Sequence, residues 1–95
     1  MIISQLSIAP VGKEISISKY IKIAVKILRE NNIKYKTNPM STIIETNDLM
    51  SIFKVVEKMN EELFTLGIKR VITELKIDYR TDKEATMETK LKSIN

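Results

Sequence analysis

The chain contains neither cysteine nor histidine and has no tryptophan. These absences exclude disulfides, thiolate chemistry, the common zinc ligands and the usual near-neutral general base. Most familiar catalytic arrangements need at least one of these side chains, so the sequence reads as a non-enzyme with no catalytic residues and no metal site. No apolar run approaches the roughly 18 to 20 residues of a membrane span, and the N-terminus lacks the pattern of a signal peptide. A cytoplasmic protein without a membrane partner is expected. Aromatic residues make up only 5% of the chain, and glycine and proline occur twice each, which leaves few places for sharp turns.

What remains is an ordinary globular composition over 95 residues, 43% hydrophobic and 29% charged, the size of one domain spanning 1–95. The net charge is +4, yet only three of the 16 cations are arginine and the lysines are scattered. That pattern fits a solvated surface better than a phosphate-tracking patch, and no nucleic-acid partner is expected.

The stretch Asn38-Pro39-Met40-Ser41-Thr42-Ile43-Ile44-Glu45-Thr46-Asn47 organises the reading. Pro39 turns the chain, a short apolar strand follows, and a carboxylate projects from it inside the sheet. A desolvated charge needs a partner. Before this stretch, residues 1–10 alternate as a strand, with Ile2, Ser4, Leu6 and Ile8 on one face and Ile3, Gln5, Ser7 and Ala9 on the semi-polar other. Ser16 or Ser18 caps a helix to about Asn31, with Ile17, Ile21, Ala24, Val25 and Leu28 as its stripe. Residues 33–37 form a second strand, hairpinned to the organising one.

Asn47 or Asp48 then caps a second helix, whose expected buried stripe is Leu49, Ile52, Phe53, Val56, Met59, Leu63 and Leu66, with its Met and Phe residues in the core. Gly67 ends it. Residues 69–79 form a long fourth strand, and Thr81 with Glu84 has the spacing of a capping box before a short third helix carrying Met87, Leu91 and Ile94. Two strand–helix–strand units predict an α+β, ferredoxin-like βαββαβ sandwich: a four-stranded antiparallel sheet with two helices on one face, plus the short C-terminal helix. One sheet face stays open.

Several runs resemble a known family. Pro39-Met40-Ser41-Thr42-Ile43-Ile44-Glu45, Gly67-Ile68-Lys69-Arg70-Val71 and Lys76-Ile77-Asp78-Tyr79-Arg80-Thr81-Asp82-Lys83 are similar to stretches of small thiamine-binding-like proteins, and the likeness continues to Lys90-Leu91-Lys92-Ser93-Ile94. The resemblance implies a ferredoxin-like protomer that pairs into dimers and then, sheet against sheet, into a homotetramer. It also implies binding of thiamine or its hydroxymethylpyrimidine moiety by a carrier or sensor. Ser41 stands where the family usually has Gly, Thr46 where Gly commonly follows the Glu, and Asn60 where His is frequent.

An aminopyrimidine offers an amine donor and ring nitrogens, an edge that a carboxylate beside hydroxyls matches. Glu45 is therefore the expected ligand contact, with Thr42, Ser41, Ser7 and Gln5 around it, and Tyr35 as an aromatic face for the thiazolium cation. The alternative for Glu45 is an ion pair, most simply with Arg70 or Lys76, and for Tyr35 it is packing. A regulatory domain that only assembles through its open sheet is the competing function.

Overall fold

The computed structural model describes residues 1–12 and 16–94, and the remaining positions of the expected 1–95 domain lie outside the described residues. The elements run β1 (Ile2–Val11), α1 (Ile17–Glu30), β2 (Lys34–Thr37), β3 (Thr42–Thr46), α2 (Leu49–Thr65), β4 (Arg70–Asp78) and α3 (Met87–Lys92). The strands form one antiparallel sheet in the order β2-β3-β1-β4. This is the expected α+β arrangement, and β3, the organising strand, is interior.

Local chemistry explains most boundaries. The Ser16 side chain accepts from the Lys19 amide and starts α1, and Asp48 does the same for α2 through the Ser51 amide. At the end of α1, Asn32 takes the left-handed conformation with φ 55°, and Gly67 does so after α2 with φ 90°. Asparagine and glycine adopt that region at the lowest cost.

The core lies between the sheet and α1 and α2. Leu6, Ile27, Leu28, Ile44, Val55 and Met59 form its centre. Strand pairing places Leu6 beside Thr42 and Leu75, and Ser4 beside Ile44 and Ile77, so this residue set faces the helices. Ile3, Gln5, Ser7 and Ala9 face the opposite way, as the alternation predicted.

Three expectations need correction. The α2 stripe is rotated, with Ile52, Val55, Met59 and Leu63 buried while Met50, Phe53 and Phe64 are exposed. Positions 52, 55, 59 and 63 keep the 3-4-4 spacing of one face, and Phe53 falls off it. On α1, Ile17, at the first helical position, is 65% exposed, while Ile27 and Leu28 carry the deep burial. The capping box belongs to Thr86 and Thr89, not to Thr81 and Glu84. Glu84 instead accepts from the N-terminal ammonium at 2.7 Å.

Candidate functional site

Glu45 is only 6% exposed, on the sheet face opposite α1 and α2. Its Oε1 accepts a hydrogen bond from the Met87 backbone N–H at 2.7 Å, the first residue of α3. Its Oε2 lies 3.6 Å from Lys34 Nζ, on the neighbouring strand position. The cation is therefore Lys34 and not Arg70 or Lys76, because β4 lies on the far side of β1 from β3. An anion at a helix N-terminus interacts favourably with its exposed N–H groups. The buried carboxylate thus has partners within the chain, and they fasten α3 over the sheet.

Lys34 also binds Glu88, and Lys90 binds Asp78, so α3 is held at both ends by charge. These bonds move the ionisations. Lys90 holds the Asp78 carboxyl below its ordinary range, and Lys34 does so for Glu88. The Lys34 ammonium is raised above its ordinary value by Glu88 first and Glu45 second. No residue of α3 is buried, so polar contacts carry much of its attachment.

The other expected residues separate onto two sides. Ser41, Ser7 and Thr42 line one cleft at the turn between β2 and β3, whereas Glu45 is not among its lining residues. The Asn38 side chain folds this turn by accepting from the Met40 and Ser41 amides, each at 2.8 Å. Gln5 donates to Ser41 Oγ at 3.1 Å, and Ser7 donates to the Met40 carbonyl at 3.4 Å. Behind them is a cleft of about 250 Å³ whose walls include Ile17, Tyr20, Ile21 and Ala24 of α1. Tyr20 is a further member, outside the set expected from the sequence. Tyr35 faces the helices, where it packs against the core and its hydroxyl accepts from Arg29 Nε at 2.8 Å.

A second, wider cavity of about 520 Å³ lies on the open sheet face. Its apolar floor is Ile3 and Ile43, with Met87 and Leu91 of α3 as one wall and Lys36, Lys76, Asp78 and Lys90 around it. The charged groups here were invisible as a set in the sequence, since they come from three separate elements. Asn60, at the position where the resemblance implied histidine, donates to the Val56 carbonyl and to Thr73 Oγ1. It ties α2 to β4 and reaches neither cavity.

Comparison with known proteins agrees with this architecture. A family model described as "Thiamine-binding protein" matches residues 4–95. A UPF0045 protein of Methanocaldococcus jannaschii is 40% identical over 93 residues, covering 98% of this chain and 91% of that one. Another, from Bacillus subtilis, is 40% identical over 100 residues, covering 100% and 95%. A solved structure from M. jannaschii superposes with a TM-score of 0.87 at 40% identity, over 98% of this chain and 94% of that chain. A Thermotoga maritima structure, provisionally named a thiamine biosynthesis or salvage protein, has a TM-score of 0.81 over 99% and 98% of the two chains. At 21% identity it supports the fold alone.

Proposed function

Because the chain belongs to the thiamine-binding protein family, with the match spanning residues 4–95, we propose that it binds thiamine or its hydroxymethylpyrimidine moiety without catalysing a reaction. The observation that carries this reading is the 250 Å³ cleft at the β2–β3 turn, lined by Ser7, Tyr20, Ser41 and Thr42 together with apolar residues of β1 and α1. Apolar walls with a few convergent polar groups are the usual form of a small-molecule site. Hydroxyls both donate and accept, so they suit the mixed edge of an aminopyrimidine. The Met40 carbonyl, which already accepts from Ser7, has a second lone pair for the exocyclic amine.

In this reading Gln5 positions Ser41, and Glu45 positions α3 instead of touching the ring. The open sheet face leaves Ile72 and Leu91 exposed, and a homotetramer built sheet against sheet would cover it. The role proposed is that of a cytoplasmic carrier or sensor; among the described residues, no helix is long and apolar enough to cross a membrane.

Calorimetric titration with thiamine and with hydroxymethylpyrimidine tests the proposal. Saturable binding is expected, weakened about tenfold by Ser41→Ala, the order of one hydrogen bond, and unaffected in its contacts by Glu45→Gln. No heat with either compound from a folded protein would favour the assembly-domain reading. Weakening by Glu45→Gln alone, with α3 still docked, would move the ring to the carboxylate.

A further inference from the structure

Resting on that reading, we infer that the backbone of Ile8 is the edge that selects the ring: its N–H donates to a ring nitrogen and its C=O accepts from the neighbouring exocyclic amine. The ligand class is then a heteroaromatic ring with an amine beside an unprotonated ring nitrogen, the arrangement of a 4-aminopyrimidine.

Strand β1 outruns its inner neighbour. Its pairing with β4 continues from Ile3 to Val11, whereas its pairing with β3 ends at Leu6, opposite Thr42. Residues 7–11 therefore have a strand on one side only. In an antiparallel sheet each residue turns its N–H and C=O to the same neighbour, and successive residues alternate between the two neighbours. The Asn38 N–H donates to the Ser41 carbonyl at 2.9 Å, so Ser41 turns toward β2. Thr42, Ile44 and Thr46 then turn toward β1, and their partners Leu6, Ser4 and Ile2 turn toward β3. By the same alternation Ser7, Ala9 and Val11 bond to β4, while Ile8 and Pro10 turn to the side where β3 has ended. Pro10 agrees with this parity, because proline has no N–H to give and is tolerated in a strand where that group would face no ladder.

Ile8 thus presents an N–H and a C=O that no strand takes up, and Ile8 lines the 250 Å³ cleft. Outside the strand ladders, no backbone bond reaches it among the described residues. An open strand edge sets a donor and an acceptor side by side in fixed directions. In a 4-aminopyrimidine the ring nitrogen accepts and the amine next to it donates, which is the complementary pair. The second hydrogen of the amine remains for the carbonyl of Met40, another lining residue. Hydroxyls rotate and suit either pattern, whereas a peptide cannot reverse its own. Ile8, more than Ser41 or Thr42, therefore decides which ring is accepted.

Three measurements on the full-length protein test this. In amide hydrogen exchange, Ile8 of the free protein should exchange fast between slow neighbours Ser7 and Ala9, and saturating hydroxymethylpyrimidine should slow Ile8 at least about tenfold. In calorimetry, the 4-oxo analogue of hydroxymethylpyrimidine, whose ring nitrogen carries a proton beside a carbonyl, should bind at least about tenfold more weakly than the amine. Turning that ring over restores the pairing only by exchanging its methyl and hydroxymethyl groups between the walls. Finally, Ile8→Pro removes the donor while leaving the β4 ladder, and it should weaken hydroxymethylpyrimidine at least about tenfold, whereas Ile8→Val, which keeps the N–H, should bind as wild type. If Ile8→Pro does not fold, the first two measurements decide. Equal affinity for the amino and oxo compounds overturns this inference alone and leaves the hydroxyls to hold the ring. An Ile8 amide that is slow in the free protein, or still fast with ligand bound, does the same. Absence of binding by hydroxymethylpyrimidine and thiamine overturns it together with the reading it rests on.

Discussion

Replacing Glu45 with alanine should release α3 and leave the rest of the fold intact. The lost interaction is a hydrogen bond of 2.7 Å from the Met87 amide to a carboxylate that is 6% exposed. A hydrogen bond to a charged group contributes about 1.5–3 kcal/mol, and an anion at a helix N-terminus about 0.3–1 kcal/mol. The two figures describe overlapping parts of one contact, so about 2 kcal/mol is the appropriate total. The Lys34 contact adds little that can be counted, since that side chain is half exposed and keeps Glu88 as a partner. Because α3 buries no residue of its own, it has little else with which to resist. A loss of about 2 kcal/mol is about a thirtyfold rise in the open-to-closed ratio, read directly as faster hydrogen exchange at the α3 amides. Amides of α2 near Met59 and Leu63 should keep their rates. Glu45→Gln retains an oxygen acceptor and loses only the charge, so its effect should be smaller. Unchanged α3 exchange in Glu45→Ala would refute the clasp, and equal acceleration in α2 would show that Glu45 supports the whole fold instead.

Three further expectations follow from the described side chains. The Ser4 hydroxyl is buried between Ile44 and Ile77 with no hydrogen-bond partner among the described residues, so Ser4→Ala should raise stability by about 1 kcal/mol, seen as a higher urea midpoint with an unchanged slope. Leu28 is fully buried at the centre of the core, and Leu28→Ala should lower the same midpoint by the equivalent of about 3 kcal/mol. Docking of α3 should depend on pH at both extremes, followed by the Leu91 methyl resonances. Asp78 and Glu88 have depressed pKa values in the folded protein, so their stabilisation is complete above the ordinary values of 3.8 and 4.5 and is lost as pH falls through the depressed ones. Lys34 is raised above 10.5, so its share is complete below that value and is lost as pH rises through the raised one. A methyl titration centred near neutrality would contradict this assignment.

Element order and sheet topology were legible because their signals are local or periodic. Ser16 and Asp48 begin helices, Asn32 and Gly67 end them, and strict alternation in residues 70–78 fixes which side chains of β4 face the core. The misplaced residues are those whose environment depends on distant elements. Phe53 has the hydrophobicity of a core residue, but the axial rotation of α2 is set by how Ile52, Val55 and Met59 meet the sheet and α1. The capping pattern at Thr81 is sound chemistry in isolation, yet Glu84 has the N-terminal ammonium as a partner 83 positions away. Glu45 was recognisable as a carboxylate that needs a partner, and its burial bears that out. The partner itself, an amide 42 positions along the chain, could not be read in one dimension. The turn residues Ser41 and Thr42 were found within the organising stretch, whereas Tyr20 joins them only through the packing of α1.

The position of α3 also separates two ways in which Glu45 can influence binding. Met87, Lys90 and Leu91 line the cavity on the open face, while the cleft at the turn draws its walls from α1, β1 and the turn itself. Undocking α3 therefore removes one wall of the open-face cavity and frees Asp78 from Lys90, which places an unpaired anion beside Lys76. Neither change reaches a ring seated in the cleft. Glu45→Ala should consequently leave the affinities for thiamine and for hydroxymethylpyrimidine as they were. A carboxylate that read the pyrimidine directly would do the opposite, weakening both. Measured beside the exchange rates of α3, that pair of affinities distinguishes a residue that holds a wall from one that holds the ligand.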